Sequence, residues 1–144
     1  MNFKKFIIIL LLTFIIGTIP SWFISMDISN LVKPFDIPRI IFPIVWTILY
    51  FMMAVSYYLV SSKEKTLGIY LAQLIFNSLW TVLFFGLKLR LLAFIWLVIL
   101  FILVITMLIK YYKLNKTAGY LLIPYSLWLI FAGYLNLSIY FLNM

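Results

Sequence analysis

The chain has no histidine and no cysteine among its 144 residues, and only three acids, Asp27, Asp36 and Glu64. The first two absences exclude zinc sites built on nitrogen or sulfur ligands, cysteine and histidine nucleophile systems, disulfides, and the usual axial ligation of haem iron. No metal site is expected. All three acids fall in expected links between helices, so a buried carboxylate relay of the kind that drives proton-coupled pumps is not expected either.

Hydrocarbon is what the chain has in abundance. Hydrophobic residues make up 67% of it and charged residues 10%, against roughly 45–50% apolar in an ordinary soluble domain. A membrane-spanning helix takes about 20 mostly apolar residues, and five stretches qualify: 6–26, 40–60, 67–87, 91–109 and 118–142. They use the whole length as one domain, 1–144. The expected fold class is therefore all-α, an integral multi-pass membrane protein built as a five-transmembrane-helix bundle. Lys4 and Lys5 precede an apolar run as in a signal peptide. That run is too long, however, and Ile19-Pro20-Ser21-Trp22 is a poor small-residue cleavage site, so the segment is read as a membrane helix.

The net charge is +8, but the basic residues sit at segment ends rather than in a continuous stripe. That is the membrane pattern, and no nucleic-acid partner is expected. Seven cations (Lys4, Lys5, Lys63, Lys65, Lys110, Lys113, Lys116) lie on the side of the N-terminus and four (Lys33, Arg39, Lys88, Arg90) on the other. The positive-inside rule then predicts a cytoplasmic N-terminus and an outside C-terminus.

Polar groups inside the apolar runs carry the functional signal. In the third segment Gln73, Asn77, Trp80 and Phe84 fall within about 60° of one helix face. An amide at membrane depth persists only against a partner helix or an internal cavity. In the fifth segment Tyr125, Trp128, Ala132 and Asn136 fall within about 80° of one face, repeating the combination of indole, small residue and amide. Trp46, Tyr50, Met53 and Tyr57 share a face of the second segment. Together the three stripes predict indoles and carboxamides turned toward a shared hollow, an aromatic box for a flat apolar guest with a few polar handles.

Other features read more plainly. Thr13, Gly17, Ser21 and Ser25 form a strip of small residues suited to close helix contact, and Pro20 is expected to kink the first helix or free a carbonyl for a neighbour. The link 27–39 has the length of a lid or a solvated connector. The fourth segment, with Trp96 and Thr106, reads as scaffold and lipid-facing surface.

The chain resembles the TspO family, also called translocator protein, peripheral-type benzodiazepine receptor or tryptophan-rich sensory protein. The resemblance runs through Leu31-Val32-Lys33-Pro34, Phe42-Pro43-Ile44-Val45-Trp46-Thr47-Ile48-Leu49-Tyr50, Gln73-Leu74-Ile75-Phe76-Asn77-Ser78-Leu79-Trp80 with Phe84-Phe85, and Pro124-Tyr125-Ser126-Leu127-Trp128 with Phe131-Ala132 and Leu135-Asn136. It implies a five-helix bundle, usually a homodimer, whose cavity opens toward the first long loop and takes porphyrins and benzodiazepine-type ligands. Carried over by position, Trp46, Asn77, Trp80, Phe84, Trp128, Ala132 and Asn136 are expected at the pocket, joined by Tyr50 from the aromatic stripe. The sequence departs from the family where the usual Trp-x-Pro-Pro of the loop becomes Asp36-Ile37-Pro38-Arg39. The cholesterol-recognition pattern near the C-terminus of animal members is not evident, although Leu108-Ile109-Lys110-Tyr111-Tyr112-Lys113 fits that loose pattern elsewhere in the chain.

The resulting expectation is a porphyrin-binding membrane protein acting in transport, sequestration or stress signalling. No cofactor is required, the porphyrin is the ligand, and Lys33 and Arg39 stand at the mouth for its propionates. Two alternatives remain: light-dependent porphyrin breakdown with Trp46 and Trp128 as electron partners, and a sterol or lipid carrier or structural subunit.

Overall fold

A computed structural model describes residues 2–144. Its helices are α1 (Phe3–Phe23), α2 (Ile41–Val60), α3 (Leu67–Thr81), α4 (Arg90–Leu114), α5 (Lys116–Leu121) and α6 (Ile123–Leu142). A π-helical turn, Val82–Gly86, continues α3. Five spans are long and apolar enough to cross a bilayer, with α5 and α6 together making the fifth. The expected five-helix bundle is what the chain forms.

Local chemistry explains where the helices begin and break. Asn2 caps α1 by accepting the Lys5 amide at 3.1 Å, satisfying a donor that has no partner within the helix. Asn115 caps α5 in the same way, accepting the Ala118 amide at 3.2 Å. The sequence reads as one helix over 118–142, yet the structure breaks at Leu122. Pro124 has no N–H for the carbonyl four residues back, so the regular ladder cannot continue there.

Pro20 leaves the Ile16 carbonyl without its helical donor. Ser78 of α3 donates to that carbonyl at 2.6 Å, so the proline creates an interhelical link. One turn earlier, the Thr13 and Tyr70 hydroxyls meet at 2.5 Å. The small-residue strip is used only in part: Thr13 and Gly17 are buried, whereas Ser21 and Ser25 are exposed.

The helices close into a ring. α1 packs on α2 and α3, α3 on α4, α4 on α5 and α6, and α5 returns to α2. Ser56 of α2 fastens that last contact, donating to the Ala118 carbonyl at 2.7 Å. Lipid is as apolar as the core, so helix association depends on packing and such hydrogen bonds more than on expulsion of water. α4 is more than featureless scaffold. Ala93, Leu97, Leu100, Val104, Met107 and Tyr111 make one buried stripe, Trp96 Nε1 donates to the Phe76 carbonyl at 2.9 Å, and Tyr111 donates to the Thr66 carbonyl at 2.7 Å. The last of these bears on the sterol pattern, because its Tyr111 is fully buried and spent on the protein's own backbone.

The long loop packs rather than floats. Ile28 and Leu31 press on a cluster of Phe84, Ala93 and Ile139. The Asn143 side chain holds both backbone groups of Val32, accepting from its N–H and donating to its carbonyl, each at 2.9 Å. Both contacts bring the loop to the bundle end where α3 finishes, α4 starts and α6 finishes.

Candidate functional site: an aromatic wall over a buried amide network

The α3 and α6 stripes face each other inside the ring. Tyr125 is the hinge between them: its hydroxyl donates to Gln73 Oε1 at 2.8 Å and accepts from Asn77 Nδ2 at 3.1 Å. Gln73 Nε2 reaches Met53 Sδ of α2 at 3.7 Å. Nearer the loop, Trp80 Nε1 donates to Asn136 Oδ1 at 2.9 Å, and Asn136 Nδ2 donates to the Arg90 carbonyl at 2.8 Å. The three amides Gln73, Asn77 and Asn136 are thus turned inward, as the sequence predicts. They do not border an open hollow, for each is at most 2% exposed and bonded within the bundle. A buried amide costs several kcal/mol if left unpaired, and pairing removes that cost.

Two aromatic groups flank this network. Trp46 lies 5.5 Å from Tyr50, 6.2 Å from Tyr125 and 6.4 Å from Trp128, ring centre to ring centre. Trp128 in turn meets Phe42 and Phe131. The second group is Trp80 stacked on Phe84 at 5.3 Å with Phe85 edge-on. The π-helical turn delivers it: the Leu87 amide reaches back five residues to the Val82 carbonyl at 2.8 Å, which gives the segment an extra residue and re-aims its aromatics. Ala132 is buried between its α6 neighbours Trp128 and Asn136, one helical turn from each.

Open volume lies one wall away from the amides. α2 packs closely on α5 but stands off from α6. Between α2 and α6 runs a groove of about 440 Å³ lined by Val45, Ile48, Leu49, Met52, Pro124, Leu127, Trp128 and Phe131. Its lining side chains are aliphatic and aromatic. Trp128 Nε1 is buried without an acceptor, one of two such side-chain atoms among the described residues.

The two loop cations expected at the mouth are engaged locally. Lys33 Nζ donates to the carbonyls of Ile28 and Leu31 at 3.2 and 3.4 Å. Arg39 is 77% exposed at its side chain and pairs with Asp27 at 3.8 Å. The Ser29 amide donates to Asp27, and this hydrogen bond holds the carboxyl below its ordinary range, with Arg39 and Lys33 adding smaller favourable charge. Ile37, in the segment that departs from the family pattern, is buried.

Arg90, Met53 and Asn143 are the participants that sequence reasoning missed. Arg90 is one of several cations at segment ends and Asn143 lies beyond the last apolar run, and no periodicity distinguishes either from its neighbours. Met53 shares the aromatic face by spacing, but its sulfur contact with Gln73 depends on the approach of two helices.

A five-helix membrane bundle whose inner wall combines indoles and amides from three helices defines the class. The sequence profile of the TspO/MBR family matches residues 6–142. A tryptophan-rich sensory protein of Cereibacter sphaeroides is 37% identical over 119 residues, covering 80% of this chain and 75% of its own length. The tryptophan-rich protein TspO of Archaeoglobus fulgidus is 33% identical with 99% of both chains covered. The translocator protein of Bos taurus is 32% identical over 80% of this chain and 70% of its own length. The chain belongs to the TspO/MBR family.

Proposed function

We propose that this membrane protein binds a tetrapyrrole, taking up a porphyrin for transport, sequestration or stress signalling. The observation that carries the reading is the Trp128 indole N–H, buried without an acceptor at the edge of the α2–α6 groove and beside Trp46. An unpaired donor in an otherwise apolar wall favours a guest with an acceptor atom on a flat hydrophobic body. The groove volume falls within the roughly 300–1,000 Å³ of small-molecule sites.

In this reading a guest in the groove meets Trp128 first, with Trp46 and then Tyr50 behind it. Asn77, Trp80, Phe84, Ala132 and Asn136 form the deeper wall, reached when the amide network exchanges its internal partners for the guest's. Protoporphyrin IX titrated into the detergent-solubilised protein should quench tryptophan fluorescence and shift the porphyrin absorption band. Trp128→Ala should weaken both responses by about tenfold or more, the loss of one buried contact of about 1.4 kcal/mol. Unchanged affinity in that variant would refute the site.

A second reading is favoured by the redox-capable cluster itself. Trp46 and Trp128 meet edge-to-face with Tyr50 and Tyr125 adjoining, an arrangement suited to giving an electron to a photoexcited porphyrin. Illumination should then convert the bound porphyrin to a new product at a rate that falls in Trp46→Phe while binding persists. Equal bleaching in a non-binding variant would rule it out. The orientation that accompanies both readings has the N-terminus in the cytoplasm.

A further inference from the structure

Arg90 stands at the bundle end closed by the loop, and its surroundings are unlike those of the other cations. Its guanidinium carbon lies 5.2 Å from the centre of the Phe84 ring, and Phe84 stacks on Trp80. Its backbone carbonyl accepts the Asn136 amide that also binds Trp80. One arginine therefore touches both Phe84 and Asn136 of the deeper wall and lies one contact from Trp80.

Its charge is unmatched. Arg90 Nε is buried and has no acceptor. The three acids of the chain are Asp27, Asp36 and Glu64, and the one ion pair among the described residues joins Arg39 to Asp27. Lys33 adds a second cation nearby, held on the carbonyls of Ile28 and Leu31, which pack on the Phe84 cluster. A half-buried guanidinium held against an aromatic face keeps its charge and its planar donors. With eight more cations than anions in the chain, the matching negative charge has to come from another molecule.

We infer that Arg90 receives a carboxylate of the planar apolar guest and so sets a preference for acidic over neutral tetrapyrroles. This rests on the tetrapyrrole reading and adds to it the polarity of the guest's edge. The guanidinium fork matches the two oxygens of a carboxylate, and Phe84, buried and stacked on Trp80, holds that fork at the edge of the aromatic cluster. Exposed Arg39, already paired, does not supply this combination.

The test compares protoporphyrin IX with its dimethyl ester, in a maltoside detergent free of phosphate. The native chain should bind the free acid about tenfold or more tighter than the ester, the scale of one charge-assisted hydrogen bond. Arg90→Gln should bring that ratio to about one while leaving ester affinity within about twofold, and ester binding serves as the folding control. Arg90→Lys, which keeps charge without the fork, should give an intermediate ratio. Lys113→Gln, at the opposite end, should keep the full preference.

A ratio that survives in Arg90→Gln overturns the inference, as does equal weakening of acid and ester, which would mark a purely structural residue. A native preference that vanishes when phosphatidylglycerol is added assigns Arg90 to a lipid phosphate and overturns it too. If the native chain binds neither compound, the tetrapyrrole reading itself fails. Binding of both with a ratio indifferent to Arg90 defeats only this inference.

Discussion

Tyr50 lies across Gly17. Its hydroxyl donates to the Gly17 carbonyl at 3.0 Å, and a Cβ on Gly17 would stand 2.5 Å from the tyrosine ring. The contact joins α1 to the Trp46 wall, because Trp46 is the next ring beyond Tyr50. Phe14 meets Tyr50 edge-on, so the ring has little freedom to swing aside. Gly17→Ala should therefore destabilise the fold by about 1–3 kcal/mol through overpacking. Thermal unfolding in detergent measures it, and an unchanged midpoint would show that the ring yields freely.

Tyr125 supports two amides at once. Tyr125→Phe leaves Gln73 Oε1 and the Asn77 amide short of a partner and should cost about 1–3 kcal/mol for each group left unsatisfied. Adding Gln73→Leu removes one of those stranded groups. The double variant should then lose less stability than the two single losses combined, and strict additivity would argue against the shared network.

The two indoles should respond differently to the same change. Trp80→Phe breaks the bond to Asn136 and strands a buried oxygen, whereas Trp128→Phe removes a donor that has no partner. In the empty protein the first substitution should destabilise by about 1–2 kcal/mol more than the second. Equal losses would mean that the Trp128 N–H is satisfied after all. With porphyrin present the order of importance should reverse for affinity.

Asn143 clasps the loop through both backbone groups of Val32. Asn143→Ala should speed hydrogen exchange at the Val32 amide by about tenfold, the scale of one hydrogen bond in a local opening. Exchange within the middle of α4 should not change. Uniform acceleration throughout the chain would point to global destabilisation instead of a released loop.

The absence of cysteine makes the proposed orientation simple to test. In intact cells, Asp36→Cys should react with a membrane-impermeant maleimide and Lys113→Cys should not. The opposite pattern would invert the assignment.

Much of the architecture was legible along the chain because lipid imposes simple rules. Long apolar runs with charges at their ends specify spanning helices, and Pro20 announced a free carbonyl that Ser78 indeed takes. The inward faces of Gln73, Asn77, Tyr125 and Asn136 were legible too, since polar groups at that depth have nowhere else to point. The interruption before Pro124 and the π-helical turn under Phe84 were not. Both change the phase of a helix by local backbone adjustments that a uniform period averages away.

Composition and spacing alone therefore decided the solvent, the number of crossings and which side of α3 and α6 turns inward, all consequences of local sequence and hydration. Which inward groups bind one another was decided only by the assembled bundle. Tyr125 met Asn77, Trp80 met Asn136 and Arg90 was left beside Phe84 without a counter-charge because helix rotation, axial offset and loop closure act together across residues far apart in the chain. Those relative placements are set by interlocking side chains from several helices, and no single segment contains that information.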